Sequence, residues 1–284
     1  MIKGLFINLD RSVARRAHME KNAAAAGVDM TRLPAVDGLA LSAAEFDRVH
    51  PPQPHLRRMT RSEVACFLSH RKAWEQICQH AADYGAVFED DIDFGTNLQA
   101  VLSDTAWIRP DMDLVKLDKA TRKHVEFGET IAIEPGLVVK RLLSLHVGCG
   151  GYIISKSFAR KLLAASETFH VPIDHFLFDP AGDIFRRAGI WQAMPAVCLH
   201  QQFSDTAFLP AEAELSSLQS SRKETIRLHQ KQAGRLVFVL RKIGREITRP
   251  FLSLGRYLSK RVSGFRRGTT WERIDYKRDR PTRR

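Results

Sequence analysis

Glu89, Asp90 and Asp91 stand in a row, with Asp93 two positions further on, directly after an apolar run that begins at Gly85. Carboxylates repel one another, and each costs several kcal/mol to bury unpaired, so a cluster at the end of a core strand calls for a cation. The chemistry this suggests is a divalent metal and, through it, a phosphate. An acidic surface turn is the alternative, since runs of like charge are usually solvated.

Other groups could join this chemistry. Asn8-Leu9-Asp10-Arg11 falls between an apolar strand and a helix, and open α/β sheets bind ligands at that crevice. Arg11, Arg15 and Arg16 could meet a phosphate there, or be ordinary solvated helix charge. Asp37-Gly38 is turn chemistry, and Asp37 could also accept from a base or a ribose hydroxyl. Ser69-His70 interrupts the apolar stripe of a helix that leads into the acidic run. Asp174-His175 follows a proline turn, where Asp174 could take a proton or cap a helix. The Gly148–Gly151 stretch lacks the Lys-Ser/Thr of a phosphate loop and suits close backbone approach or a plain turn.

The elements that would position these groups alternate. Lys3–Leu9 reads as a strand, followed by a helix from Arg11 to about Ala26 that Asp10 can cap and Gly27 stops. A second strand is expected at Leu33–Gly38. Thr60-Arg61-Ser62-Glu63 is a capping box, so a helix begins there and runs to about Tyr84. Further strands are expected at Asp113–Leu117, Leu137–Leu143, Tyr152–Ser155 and Trp191–Leu199, with helices near Asn97–Trp107 and Ser157–Ala165. Strands alternating with helices imply an α/β fold: a mainly parallel sheet flanked by helices.

At 284 residues and 44% hydrophobic, the chain can bury a proper core. No apolar run is long enough to span a bilayer, and the N-terminus does not read as a signal peptide. Cys66, Cys78, Cys149 and Cys198 are scattered in apolar company, which favours reduced thiols and a cytosolic setting. The charge is uneven. From Arg222 onward, 20 Lys and Arg face 5 Asp and Glu, so the net +12 of the chain leaves residues 1–221 at about −3. Two domains are expected: a body over 1–221 and a basic extension over 222–284. Apolar islands among the basic residues, such as Leu236–Leu240 and Phe251–Leu254, suit an anionic membrane surface; a disordered tail is the alternative. No nucleic-acid motif is present.

In order along the chain, several stretches resemble glycosyltransferase family 25, the lipopolysaccharide and lipooligosaccharide galactosyltransferase group. They are Phe6–Arg11 with Arg15-Arg16, Pro34–Gly38, Glu63–Cys66, Leu68-Ser69-His70 with Ala73-Trp74, and Val87–Asp91. Gly151-Tyr152, Pro172–His175, and Gln201 with Phe203-Ser204 complete the match over about residues 2–206.

The resemblance implies a GT-A-like (Rossmann-like) fold, a UDP-sugar donor with UDP-galactose as first choice, Mn²⁺ (or Mg²⁺), and transfer with inversion to a lipid-linked saccharide. Glu89-Asp90-Asp91 takes the place of the family's Asp-x-Asp-type motif, with Glu in first position. Asp91 is then expected on the metal, with Glu89 and His200 as further ligands. Asn8, Asp10, Arg11, Asp37, Gly38, Ser69, His70, Glu89 and Asp90 are expected around the nucleotide sugar. Gly151, Tyr152, His175 and Gln201 are expected near the sugars, and Asp174 as general base. The setting would be cytoplasmic, at the inner face of the membrane. Two other readings compete: a sugar nucleotidyltransferase, and a non-catalytic membrane-bound protein on a transferase fold.

Overall fold

The computed structural model of the chain describes residues 1–54, 56–203 and 268–276. In chain order the elements are β1 (Lys3–Asn8), α1 (Val13–Ala25), β2 (Met30–Pro34), α2 (Ala43–Val49), α3 (Arg61–Gln79), β3 (Tyr84–Glu89), β4 (Ile92–Phe94), α4 (Leu98–Ser103) and β5 (Leu114–Lys116). Then come β6 (Asp118–Lys119), β7 (Val125–Glu134), β8 (Leu137–Leu142), β9 (Gly151–Ser155), α5 (Lys156–Ala165), α6 (Ile173–Phe178), α7 (Asp183–Arg187), β10 (Ile190–Met194) and β11 (Cys198–His200). The chain divides into two units, 1–208 with 272–284, and 209–271. All of these elements belong to the first unit.

Successive side chains of a strand point to opposite faces, and the central strands are apolar on both. Leu5, Ile7, Val87, Tyr152 and Ile154 face one layer, packed with α3, α5 and α6. Phe6, Ala86, Phe88, Val115 and Ile153 face the other, packed with Met19 of α1 and with α4. The expected α/β architecture, a large sheet between helices, is therefore present.

The large sheet runs in the order β7-β8-β10-β5-β9-β3-β1-β2. Its parallel pairs are β2-β1, β1-β3 and β5-β10. β9 runs antiparallel to both β3 and β5, and β8 antiparallel to β10 and β7. The sheet is mixed, where a mainly parallel one was expected. Gly151–Ser155 enters between β3 and β5 from the opposite end, a choice made by pairing partners far away in sequence. A small second sheet, β4-β11-β6, sits after the large one's acidic strand end.

Local boundaries follow local chemistry. The capping box at Thr60 forms, with the Thr60 side chain accepting from Glu63 N–H and Glu63 from Thr60 N–H, and it starts a 19-residue helix. Helix α1 begins later than expected. Ser12 N–H bonds Leu9 C=O at 2.9 Å, so Leu9–Ser12 is a turn, and Asp10 lies outside the helix, bound to Arg32. The helix ends where Gly27 adopts φ +65°. The expected strand Trp191–Leu199 is two strands, one in each sheet.

The basic extension expected over 222–284 lies outside the described residues except for 268–276, as does Ser204. Residues 272–276 return to the body. Ile274 is fully buried, Lys140 Nζ meets Glu272 at 2.6 Å, and Tyr276 Oη donates to Phe94 C=O at 2.9 Å. Among the described residues, no helix is long and apolar enough to cross a membrane.

Candidate active site

Parallel strands β1 and β3 end side by side, Ile7 opposite Glu89, so Asn8 and the acidic run meet at one sheet edge. Past Glu89 the chain turns through Asp90-Asp91 into β4. Strand β11 pairs with β4, His200 opposite Ile92, and Gln201 N–H bonds Asp91 C=O at 2.8 Å. That pairing brings His200, far away in sequence, beside Asp91.

The three adjacent carboxylates separate by direction. Asp90 turns toward α1: its oxygens accept from Asn8 Nδ2 at 2.7 Å and Arg15 Nη1 at 3.0 Å. Glu89 and Asp91 turn toward His200, and ligand atoms of these three residues lie within 4.8 Å of one another. Asp91 Oδ2 is 3.3 Å from His200 Nε2, while Asp91 Oδ1 is buried with no hydrogen-bond donor. An orphaned buried carboxylate oxygen is costly in a finished site and is the atom a cation would satisfy. Two carboxylates and an imidazole suit a hard or borderline divalent ion such as Mn²⁺, so the residues present fit the expected group.

Electrostatics divide the carboxylates too. Burial, then the nearby Asp91 charge, pushes Asp90 up to about 6, against the pull of Arg15 and Asn8. Burial acts upward on Glu89 as well, yet the hydrogen bond from His70 and the charges of His70, His200 and Lys116 leave it below the ordinary range.

Behind Glu89 stands a buried hydrogen-bonded chain. Trp74 Nε1 donates to Tyr152 Oη at 2.9 Å, Tyr152 Oη meets His70 Nδ1 at 2.9 Å, and His70 Nε2 faces Glu89 Oε1 at 3.5 Å. Tyr152 and Trp74 are fully enclosed, and burial drives the Tyr152 hydroxyl well above its usual range. Ser69 Oγ donates to Ala65 C=O and accepts from Val36 N–H, joining α3 to the loop that carries Asp37.

The Gly148–Gly151 turn lies between Glu89 and Asp174. Glu89 N–H bonds Gly150 C=O at 3.0 Å, and Gly148 N–H donates to Asp174 Oδ2 at 3.3 Å. Asp174, in the first turn of α6, also accepts from His175 N–H at 2.9 Å. Gly148 has φ +98°, and a side chain at Gly151 would strike Cys198 Sγ at 2.6 Å, so both positions favour glycine. His175 is half exposed and 3.9 Å from Asp179.

At the edge of the crevice, Arg11 pairs with Asp37, whose other oxygen accepts from Leu39 N–H. Gly38 packs against the start of α3, 3.0 Å from Arg61 C=O for an added Cβ. Asp10 is 82% exposed. Gln201 Nε2 bonds His18 Nε2 at 2.8 Å, and His18 reaches Asp93 at 3.1 Å, tying α1 to the small sheet.

Sequence reasoning missed the pair beneath this site. Lys116 Nζ and Asp118 Oδ1 are 2.7 Å apart with both side chains fully buried. Lys116 also donates to Gly148 C=O and lies 4.4 Å above the Phe178 ring. Burial raises Asp118, with Lys116 opposing. A signal existed: Lys116 and Asp118 stand two apart in an apolar stretch, where β5 gives way to β6, and charge in apolar company needs a partner.

The family model of "Glycosyltransferase family 25 (LPS biosynthesis protein)" matches residues 1–177. The chain is similar to the lacto-N-neotetraose biosynthesis glycosyltransferase LgtB of Neisseria gonorrhoeae, 29% identical over 84% of this chain and 91% of that one. It is similar to the lipooligosaccharide biosynthesis protein lic2B of Haemophilus influenzae, 24% identical over 92% of this chain and 98% of that one. Procollagen galactosyltransferase 1-A of Xenopus laevis is 31% identical over 60% of this chain and 30% of its own length. With the matching stretches converging on one crevice and the family model covering more than half its length, the chain belongs to glycosyltransferase family 25.

Proposed function

We propose that the protein transfers galactose from UDP-galactose, with inversion, to a saccharide acceptor of lipopolysaccharide or lipooligosaccharide. One observation carries this reading: Glu89, Asp91 and His200 converge at the ends of parallel strands, with Asp91 Oδ1 buried and lacking a donor. Glu89, Asp91 and His200 would hold Mn²⁺ or Mg²⁺, which would supply Lewis-acid stabilisation to the diphosphate leaving group.

The chain's own residues then divide the work. Asn8 and Arg15 hold Asp90, which faces the nucleotide side of the crevice. Asp37 accepts from the nucleoside, with Arg11 as its counter-ion and Asp10 at the rim. Gly38 and Ser69 fix the loop that carries Asp37. His70 holds Glu89, and Tyr152 with Gly151 acts through His70 and the turn, because both are enclosed. Asp174 takes the proton of the acceptor hydroxyl, opposite the departing diphosphate. Gly148 N–H orients its carboxylate. His175 and Gln201 flank the sugars. The basic segment from Arg222 docks the enzyme on the anionic inner face of the cytoplasmic membrane, where a lipid-linked acceptor would be presented.

A donor screen reading nucleotide release tests this directly. UDP-galactose with Mn²⁺ and a lipooligosaccharide-type acceptor should give the highest turnover. Preference for another nucleotide sugar would replace the donor, and product formation only from a nucleoside triphosphate plus a sugar phosphate would replace the reaction class. Removal of residues 222–284 would delete the return segment 272–276, so the membrane role is better tested by neutralising basic residues within 222–267. Loss of salt-sensitive binding to anionic vesicles is expected; unchanged binding would remove that role.

A further inference from the structure

Glu89 belongs to two potential ligand sets, and the second does not overlap the first at any other residue. On its inner side Cys66 Sγ is 3.9 Å and His70 Nε2 3.5 Å from Glu89 Oε1, and ligand atoms of all three lie within 4.8 Å of one another. Cys66 and His70 are four apart on α3, so they share one face of the helix. Tetrahedral zinc, with bonds of about 2.0–2.3 Å, places its ligand atoms roughly 3.3–3.7 Å apart. The observed separations need only small side-chain shifts to reach that.

The surroundings are built for an imidazole ligand. Metal-bound histidines hold their other ring nitrogen on a fixed partner, and His70 Nδ1 lies 2.9 Å from Tyr152 Oη, itself held by Trp74 Nε1. Metal binding through Nε2 would place the ring proton on Nδ1, donated to Tyr152 Oη, and would replace the hydrogen bond that Nε2 otherwise gives Glu89. Glu89 is 24% exposed, which opens the set to solvent. Thiolate sulfur with imidazole nitrogen selects a softer ion than the two carboxylates and imidazole on the other side do.

We propose that Cys66, His70 and Glu89 form a zinc-class binding site, and that by recruiting Glu89 it opposes occupation of the Glu89–Asp91–His200 site. The ion binds Cys66 as thiolate, with its proton released to solvent, and solvent fills the fourth position. The antagonism rests on the proposed metal-dependent transfer; the binding itself does not.

The test uses the full-length, metal-free protein titrated with Co²⁺, an optically active stand-in for zinc. A thiolate-to-cobalt charge-transfer band should appear, be displaced by Zn²⁺, vanish in Cys66→Ser, and persist in Cys78→Ser and in Asp91→Asn. Absence of the band, or its survival in Cys66→Ser, overturns the site. In an assay of Mn²⁺-supported transfer, Zn²⁺ should raise the Mn²⁺ concentration needed for half-maximal rate by tenfold or more, and Cys66→Ser should remove that effect. Zinc inhibition that persists in Cys66→Ser overturns the antagonism. A wild-type band without any transfer activity would leave the site standing and count against the transferase reading alone.

Discussion

Two buried acidic sites border the Gly148–Gly151 turn, and they handle charge differently. At Lys116–Asp118 the chain supplies its own cation: both side chains are fully buried and 2.7 Å apart. At Glu89–Asp91 histidines lie nearest Glu89 and Asp91, Arg15 pairs with Asp90 at 3.0 Å and stands 4.0 Å from Asp91 Oδ2, and Asp91 Oδ1 has no donor. Low-dielectric surroundings make an unmatched carboxylate expensive. The first site holds its own counter-ion on Asp118 Oδ1, although Asp118 Oδ2 also lacks a hydrogen-bond donor, whereas Asp91 has an imidazole at 3.3 Å and a guanidinium only at 4.0 Å. The lesson is that burial of acid alone does not mark a site; what separates these two is whether a cation is paired directly with the buried carboxylate, as Lys116 is with Asp118, or stands off from it, as Arg15 does from Asp91.

The largest effect should fall on the Glu89–Asp91 site. Asp91→Ala is expected to lower kcat by about 10³-fold or more, because it deletes several kcal/mol of leaving-group stabilisation, while the melting temperature stays near that of the wild type. Turnover within a few-fold of wild type would break the contrast. Asp174→Asn should follow with a loss in kcat of about 10²–10⁴-fold and donor affinity nearly unchanged. A collapse of donor affinity would instead make Asp174 a binding residue.

The Lys116–Asp118 site should respond in stability. Lys116→Met leaves Asp118 buried without its counter-ion and should cost about 3–5 kcal/mol in urea unfolding. The double change Lys116→Met with Asp118→Leu should recover much of that loss, since removing both charges of a buried pair is often close to neutral. No recovery would mean the pair contributes more than mutual neutralisation.

The smallest effect concerns Asp90, whose folded-state carboxyl is raised to about 6 from the ordinary 3.8. The folded form therefore binds the proton more tightly than the unfolded chain, and this group's contribution falls as pH rises from about 4 through 6. In the metal-free protein the stability of Asp90→Asn relative to wild type should be about 1.4 kcal/mol more favourable at pH 7.5 than at pH 5. Comparing the two pH values cancels the lost hydrogen bonds to Asn8 and Arg15. A difference of zero or of opposite sign would show that Arg15 fully neutralises Asp90.

Much of this arrangement was legible in the sequence where the signal is local. The apolar run ending in Glu89-Asp90-Asp91 reads directly as a strand with a charged terminus, and the Thr60–Glu63 box fixes the start of α3. The division of labour among three adjacent carboxylates was not legible. It depends on Arg15 and Asn8 on one side and on His200 on the other, and those contacts exist only after β1, β3 and β11 are assembled. The antiparallel entry of β9 was hidden for the same reason. Its apolar residues suit either direction, and only pairing with β3 and β5 decides. Lys116 escaped notice because one lysine at the end of a short strand looks ordinary until Asp118, where the next strand begins, is seen 2.7 Å from it.

The central claim is that the Glu89–Asp91–His200 site takes its cation from outside the chain. Mn²⁺ titration of the full-length protein in the presence of UDP, followed by the loss of the free-ion paramagnetic resonance signal, measures it most directly. One tight Mn²⁺ per chain is expected, weakened at least tenfold by either Asp91→Asn or His200→Ala and retained in Asp90→Asn. Mn²⁺ binding that is unchanged by both Asp91→Asn and His200→Ala would contradict it.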